Sequence, residues 1–464
     1  MLDLDYSRPL RLWYTVDHWA FDDLESRLLR ECYPESLPEA APVNLRVLLA
    51  NLYAAWCDDP ELSVAIAKSN SGYRKKTRYN GQKASAFLIK VADRLFELDL
   101  IGQAVGFYDR NRKTGKRTRV WPVGRLRQEF DRLVALMVKP IVASKTECLV
   151  LRDADGNDMR QVLTDYNQML ARTFIDIRDL EVPKLQLGGR SYLSVSQSDK
   201  FVHRVFNRSS WQKGGRFYGG WWQRCPKEWR KRIFINDHPT IEDDYSGLHI
   251  VMLYGWEGID FWANAEPDED PYRVDVPELA LDPVTQRRCA KTLMLIAVNA
   301  ESEKSAFKAF RSSVRDDGEW ELGALTDRQL ALLLDALRRK HAPIAYRLGA
   351  GAGIDLMNQD SRITEYIIKR FLEAGRPVLS IHDSYIVTFG DDGRLRDTLH
   401  EAFEYVTGIK GVQLKREGIG YHQIQVVDAD GRVTYSEEAD RLSELINTPR
   451  SPGYVRRMER FFSH

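Results

Sequence analysis

Apolar residues recur three to four positions apart over Asn44–Trp56 (NLRVLLANLYAAW), the spacing that lines up one face of a helix. The same period runs through Ala84–Leu100 (ASAFLIKVADRLFELDL). Two shorter segments, Val105–Tyr108 and Arg117–Trp121, flank the turn-forming DRNRKTGK and predict the strands of a basic hairpin. A helix followed by such a hairpin resembles a winged helix, at about residues 70–125. Residues 1–190 are therefore expected to form a mostly helical N-terminal region, with polar DADGND (Asp153–Asp158) toward its end. From 191 to 430 short strands alternate with helices, which predicts an α+β domain, and 431–464 reads as a helical tail.

Length and composition alter this picture little: 464 residues at 43% hydrophobic can fill one large core or two to three smaller ones. The 68 Lys and Arg nearly cancel the 67 Asp and Glu, so any pull on nucleic acid must come from local clustering. One cluster exists, with 13 Lys or Arg against four acids between Arg74 and Arg119, and Tyr73, Tyr79 and Phe107 among them. It reads either as a phosphate-binding surface with salt-dependent affinity or as a solvated charged face. The five cysteines (Cys32, Cys57, Cys148, Cys225, Cys289) form no C-x-x-C pair that could build a zinc site, which fits a reducing compartment. No apolar run approaches the ~20 residues of a membrane span, and no signal-peptide pattern opens the chain. A cytoplasmic protein with no membrane partner is expected.

Two segments carry chemistry. In IEDDYSGLHIVMLYG (Ile241–Gly255) a strand is predicted to end at Asp244, with a helix starting around Ser246. In PVLSIHDSYIVTF (Pro377–Phe389) two apolar strands flank His382 and Asp383, which places the acid at the tip of a tight hairpin. Carboxylates projected from strand ends can clamp two divalent cations about 3.5–4 Å apart, the arrangement phosphoryl transfer uses.

Asp-Tyr-Ser at 244–246 and His-Asp at 382–383 resemble motifs A and C of family A DNA polymerases and single-subunit RNA polymerases. Between them RRCAKTLMLIAVNA (Arg287–Ala300) is similar to motif B, with Arg287 and Lys291 on one helical face. Upstream, GGRFYGGWWQRCPKEWRKRIFIN (Gly214–Asn236) looks like the stretch whose Gly-Arg pair touches primer and template. The four motifs span about residues 200–425 in the family's order. The resemblance implies a right-hand polymerase with palm and helical fingers, and since no stretch resembles a proofreading exonuclease and the roughly 200 residues before the palm are too few for one plus a thumb, no proofreading is expected. Asp244, Tyr245 and Asp383 would stand at two Mg²⁺ ions, with Mn²⁺ able to substitute. Arg287, Lys291, His249, Tyr245 and Asn299 would surround an incoming dNTP or NTP, Lys291 also protonating the departing pyrophosphate. Arg216, Gln223 and His382 would hold DNA primer and template. Trp221 and Trp222 either position bases or fill the core.

The chain departs from the pattern in places. His249 stands where DNA enzymes carry a Glu that excludes ribonucleotides, and Asn299 replaces an aromatic that guards the insertion site. Ser246–His249 and NQDSRI (Asn358–Ile363) resemble the RNA branch. The first expectation is a DNA polymerase or primer-synthesising enzyme, with a replication helicase or accessory protein as a partner. The alternatives are a single-subunit-type RNA polymerase, a nucleic-acid-binding protein with a degenerate palm, and a metal-dependent nuclease.

Overall fold

The computed structural model describes residues 3–69, 73, 80, 83–109, 114–138, 140–142, 159–188, 191–266, 269–316, 318–417, 425–427, 433–435 and 437–463. Helix makes up 51% and strand 17%, a mixed α+β chain as the patterning predicted. Asp153–Asp158 falls outside the described residues. None of the described helices is long and apolar enough to cross a membrane.

Two hydrophobic cores divide the chain, the first built from residues between Tyr6 and Val138. Its centre is the helix Ala41–Asp58, which Pro42 opens at a position where its missing N–H costs nothing. This helix is buried on all sides, not along one face as expected, because Val47, Leu49 and Ala50 are covered as completely as Leu45, Leu48 and Leu52. It packs between helices Trp19–Cys32 and Phe87–Glu97 and against sheet strands. A four-stranded sheet backs it in the order Ser7–Pro9, Ser63–Ile66, Thr118–Pro122, Ile101–Ala104. The strand expected at Val105–Tyr108 starts only at Phe107, where Phe107–Asp109 pairs with Thr114–Lys116 in a separate two-stranded extension, and an earlier strand, Ile101–Ala104, joins the sheet. Gly106 marks the break, where a Cβ would fall 2.2 Å from the Lys116 carbonyl oxygen.

The second core runs from Tyr166 to Val412. Helix Met159–Ala171 and strand Ile175–Ile177 already belong with it: the Tyr166 hydroxyl donates to the Val378 carbonyl at 2.8 Å, and the strand pairs with Ile233–Ile235. The second core thus takes in helix Met159–Ala171 and strand Ile175–Ile177. Here an antiparallel sheet runs Leu379–Ile381, Ser384–Thr388, His238–Tyr245, Ile233–Ile235, Ile175–Ile177, and Leu414–Glu417 adds to the central His238–Tyr245 strand. Asn236 and Asp237, both at positive φ, make the two-residue turn that leads into that strand. Alternation along it puts Glu242 and Asp244 on one face and Asp243 on the other, where Arg416 grips Asp243 with bonds of 2.7 and 2.8 Å.

The tail is not wholly helical, since Gln425–Val427 pairs with Val433–Tyr435 before helices Glu437–Ile446 and Pro452–Phe462. The last helix ties the cores together. Arg457 bonds Asp176 at 2.8 and 2.9 Å, and Arg460 donates to the Cys57 carbonyl at 2.8 Å. A second joint centres on buried Asp58, which accepts from Arg8 (2.8 Å), Ser198 (2.7 Å) and the Gln197 N–H (3.1 Å).

Candidate active site

Asp244 lies one residue before the end of the central strand, opposite Ser384 on one side and Lys415 on the other. Gly247 then turns the chain at φ 67, a conformation glycine adopts without Cβ strain, into helix Leu248–Trp256. Asp383 occupies the two-residue turn between Leu379–Ile381 and Ser384–Thr388. His382 beside it is held at φ 57, a left-handed conformation costing a non-glycine residue about 1 kcal/mol. The register of the two strands brings both acids to the same end of the sheet.

Burial pushes the Asp244 carboxyl up to about 7, helped by the negative charges of Asp383 and Glu242 and opposed by Lys291 and Lys415. Its Oδ1 is buried with no hydrogen-bond partner among the described residues. Glu242, on the same strand face, is already occupied: Arg230 bonds it at 2.9 and 3.0 Å and the Ser384 hydroxyl at 2.7 Å. Among the described residues no group of three or more His, Cys, Asp or Glu is arranged to hold a metal ion. What remains is a two-carboxylate pair with an unsatisfied buried oxygen, a donor set whose mutual repulsion a divalent cation would relieve.

The acids line a cleft of about 770 Å³ together with Tyr272, Arg287, Lys291 and Lys415. Arg287 and Lys291 come from helix Pro283–Asn299, whose start is fixed by Asp282 accepting from the N–H groups of Val284 and Thr285 at 3.0 Å each. Arg287 and Lys291 share one face and lie over the Tyr272 ring at 5.9 and 5.7 Å. Arg287 is ion-paired with Asp270, whereas Lys291 makes no ion pair among the described residues. Tyr272 is 6% exposed, and its hydroxyl has no hydrogen-bond partner among the described residues. Burial, then Asp383, raises its pKa.

Of the other expected site residues, Tyr245 and His382 line the same cleft, and the rest stand elsewhere. Arg216 donates to Asp360 at 2.5 Å and to His249 Nε2 at 3.1 Å, so its guanidinium is committed inside the protein. His249 is outside the cleft lining, and burial next to Arg216 pushes it down to about 4, leaving it neutral at pH 7. Gln223 closes its own turn, accepting from the Gly219 N–H at 2.9 Å and donating to the carbonyls of Phe217 and Ser380 at 3.0 Å each. The Tyr245 side chain points into the core, its hydroxyl donating to Leu399 O at 2.6 Å; its position in the strand still borders the cleft. Asn299 bonds Leu295 O at 2.7 Å and packs on Gly353, away from the cleft. Trp221 and Trp222 are fully buried core residues. The glycines before Arg216 serve packing: a Cβ at Gly215 would meet Ser361 Oγ of helix Gly353–Glu373 at 2.8 Å. His382 remains exposed, its ring edge-on to Tyr218 at 5.7 Å.

Tyr272 and Lys415 were not anticipated. Tyr272 sits in an acidic loop without helical or strand period, and Lys415 reaches the site only through strand register with Asp244.

No family model and no curated protein matches the chain. Among solved structures it is similar to the POL domain of Pol1 from M. smegmatis in complex with DNA primer-template and dNTP, at 15% identity and a TM-score of 0.27. The match covers 46% of this chain and 47% of that one, so it spans about half the length of each.

Proposed function

We propose that this chain is a template-directed nucleotidyltransferase, a DNA polymerase or primer-synthesising enzyme, whose second core is the palm and fingers of a right-hand polymerase. The observation that carries the reading is the cleft itself: two carboxylates at one sheet end, facing a helix that presents Arg287 and Lys291. Asp244 and Asp383, with the main chain at Tyr245, would hold magnesium. Bound there, the ions supply activation of an attacking 3′ oxygen and neutralise charge on the leaving pyrophosphate.

The chain's own residues do the rest. Lys291, which makes no ion pair among the described residues, would bind the triphosphate and give a proton to the leaving pyrophosphate. Arg287 joins it by exchanging Asp270 for a phosphate oxygen. Tyr272 offers its unpartnered hydroxyl to the nucleotide, and His382 at the turn is the group exposed toward primer and template. The expected roles of Arg216 and Gln223 in holding DNA pass to scaffold support for the Asp383 turn, because both side chains are already bonded within the protein. The first core, with its basic hairpin, would act as a winged-helix-like module that binds the strand.

The test is incorporation of labelled dNTPs and, separately, NTPs on single-stranded DNA with Mg²⁺, with and without a primer. Wild-type extension that disappears in Asp244→Ala supports the reading. Extension surviving in that variant, or strand degradation instead, defeats it.

A further inference from the structure

The first core carries an unusual concentration of exposed apolar side chains at one place. Val105, Phe107 and Tyr108 are 72%, 62% and 66% exposed, all at the extension where Phe107–Asp109 pairs with Thr114–Lys116. Neighbouring strand residues point to opposite faces, so this two-stranded ribbon shows an aromatic on each side. Phe107 stands opposite Lys116, and directly opposed residues share a face. Tyr108 stands opposite Gly115, where a Cβ would come within 2.9 Å of the Tyr108 ring, so the glycine lets the ring lie flat across the ribbon.

None of the three belongs to the first core. Among the described residues this ribbon pairs with no further strand, which makes it marginal on its own, and leaving large apolar rings in water adds nothing to its stability. Stability therefore does not explain them. Cations stand beside the rings: Lys116 and Arg117 are exposed, with Asp109 the one acid of the paired strands. Lys116 is held by Asp5, which fixes its position beside Phe107. Flat rings set among cations, on a projection with two open faces, match a strand that offers unpaired bases and phosphates together.

We infer that this ribbon is a binding platform for single-stranded nucleic acid, with unpaired bases stacking on Phe107 and Tyr108 while the adjoining cations take the phosphates. Paired bases are hidden inside their stack, so a duplex could engage only the cations. The inference rests on the nucleic-acid reading above but not on its catalytic step.

Binding of the full chain to a labelled oligothymidylate of about 16 nucleotides and to a blunt duplex of equal length, each over a range of salt, tests it. Wild type is expected to prefer the single strand. Phe107→Ala and Tyr108→Ala should each weaken single-strand binding about tenfold with the salt slope unchanged, and leave duplex binding nearly intact. Arg117→Glu should flatten the salt slope for both ligands. Asp383→Ala should bind like wild type, which separates a failure of the platform from a failure of the catalytic assignment. Aromatic variants that bind the single strand normally, or lose both ligands equally while melting like wild type, would overturn the inference. So would a wild type that binds neither ligand, or an aromatic variant that turns a dimer into a monomer, which would mark the rings as a contact between copies.

Discussion

Two clusters of charge lie within electrostatic reach of Asp383, and they are built on opposite terms. Arg216 bonds both Asp360 and His249 in the interior; Asp360 is fully buried, and although its Oδ1 and the His249 Nδ1 have no hydrogen-bond partner among the described residues, each group is held by the guanidinium. Burial still pushes Asp360 up to about 6 despite the guanidinium against it. On the cleft side Asp244 has an oxygen with no partner, and Lys291 has no ion pair among the described residues. Charges paired inside a protein hold shape. Charges left unpaired at the wall of an open cleft raise the energy of the empty site and are relieved only by something that binds there.

That contrast can be broken experimentally, and the largest effect is expected at its cleft side. Asp383→Ala should lower nucleotide incorporation by at least about 10³-fold while leaving DNA binding in place, read from primer extension beside a gel-shift titration. Incorporation within a few-fold of wild type would remove Asp383 from the chemistry.

The next effect belongs to the paired cluster. Asp360→Ala strands Arg216 as a lone buried charge and should cost about 3–5 kcal/mol in denaturant unfolding. Asp244→Asn should act in the opposite direction. A carboxyl whose pKa is about 7 folded and near 4 unfolded loses its stabilising proton as pH rises from 4 to 7. The Asn variant should therefore melt roughly 2 °C higher than wild type at pH 8 and no higher at pH 4. If Asp360→Ala is silent and Asp244→Asn destabilises at pH 8, the division between scaffold and site fails.

The same shift sets a pH dependence for metal. Asp244 must give up its proton to act as a ligand, so apparent Mg²⁺ affinity should fall about tenfold per unit below pH 7 and level off above it. Calorimetric titration from pH 5.5 to 8.5 reads this directly, and a flat profile would contradict it. The smallest effects are expected at the nucleotide wall. Tyr272→Phe should raise the nucleotide KM about fivefold at constant kcat by removing one hydrogen bond. Asp270→Asn should lower KM a few-fold by freeing Arg287.

How much of this could be read from the chain depends on the range over which each feature is decided. Asp244 and Asp383 were legible because a strand end and a two-residue hairpin are set by neighbours a few positions away. The Arg287 and Lys291 face was legible for the same reason, since helical period alone puts them together. The fate of Arg216 was not, because its partner lies 144 residues along the chain. Gln223 is likewise decided by Ser380, 157 residues away. Tyr245 shows the limit within one motif: its place in the strand matches the expectation, but its side chain goes to Leu399 in the core. The all-round burial of Ala41–Asp58 has the same origin, because which faces of a helix are covered depends on what the rest of the chain stacks around it.

The joint at Asp58 has a consequence for distance. One buried carboxylate takes hydrogen bonds from Arg8 on the first core and from Ser196, Gln197 and Ser198 on the second, and the last helix adds a second tie through Arg460 and Arg457. Two bodies pinned at two places cannot swing freely against each other. The interval between the ribbon at Phe107 and the turn at Asp383 is thereby a property of the protein rather than of its motion. A strand held at one and extended at the other would be measured against a ruler.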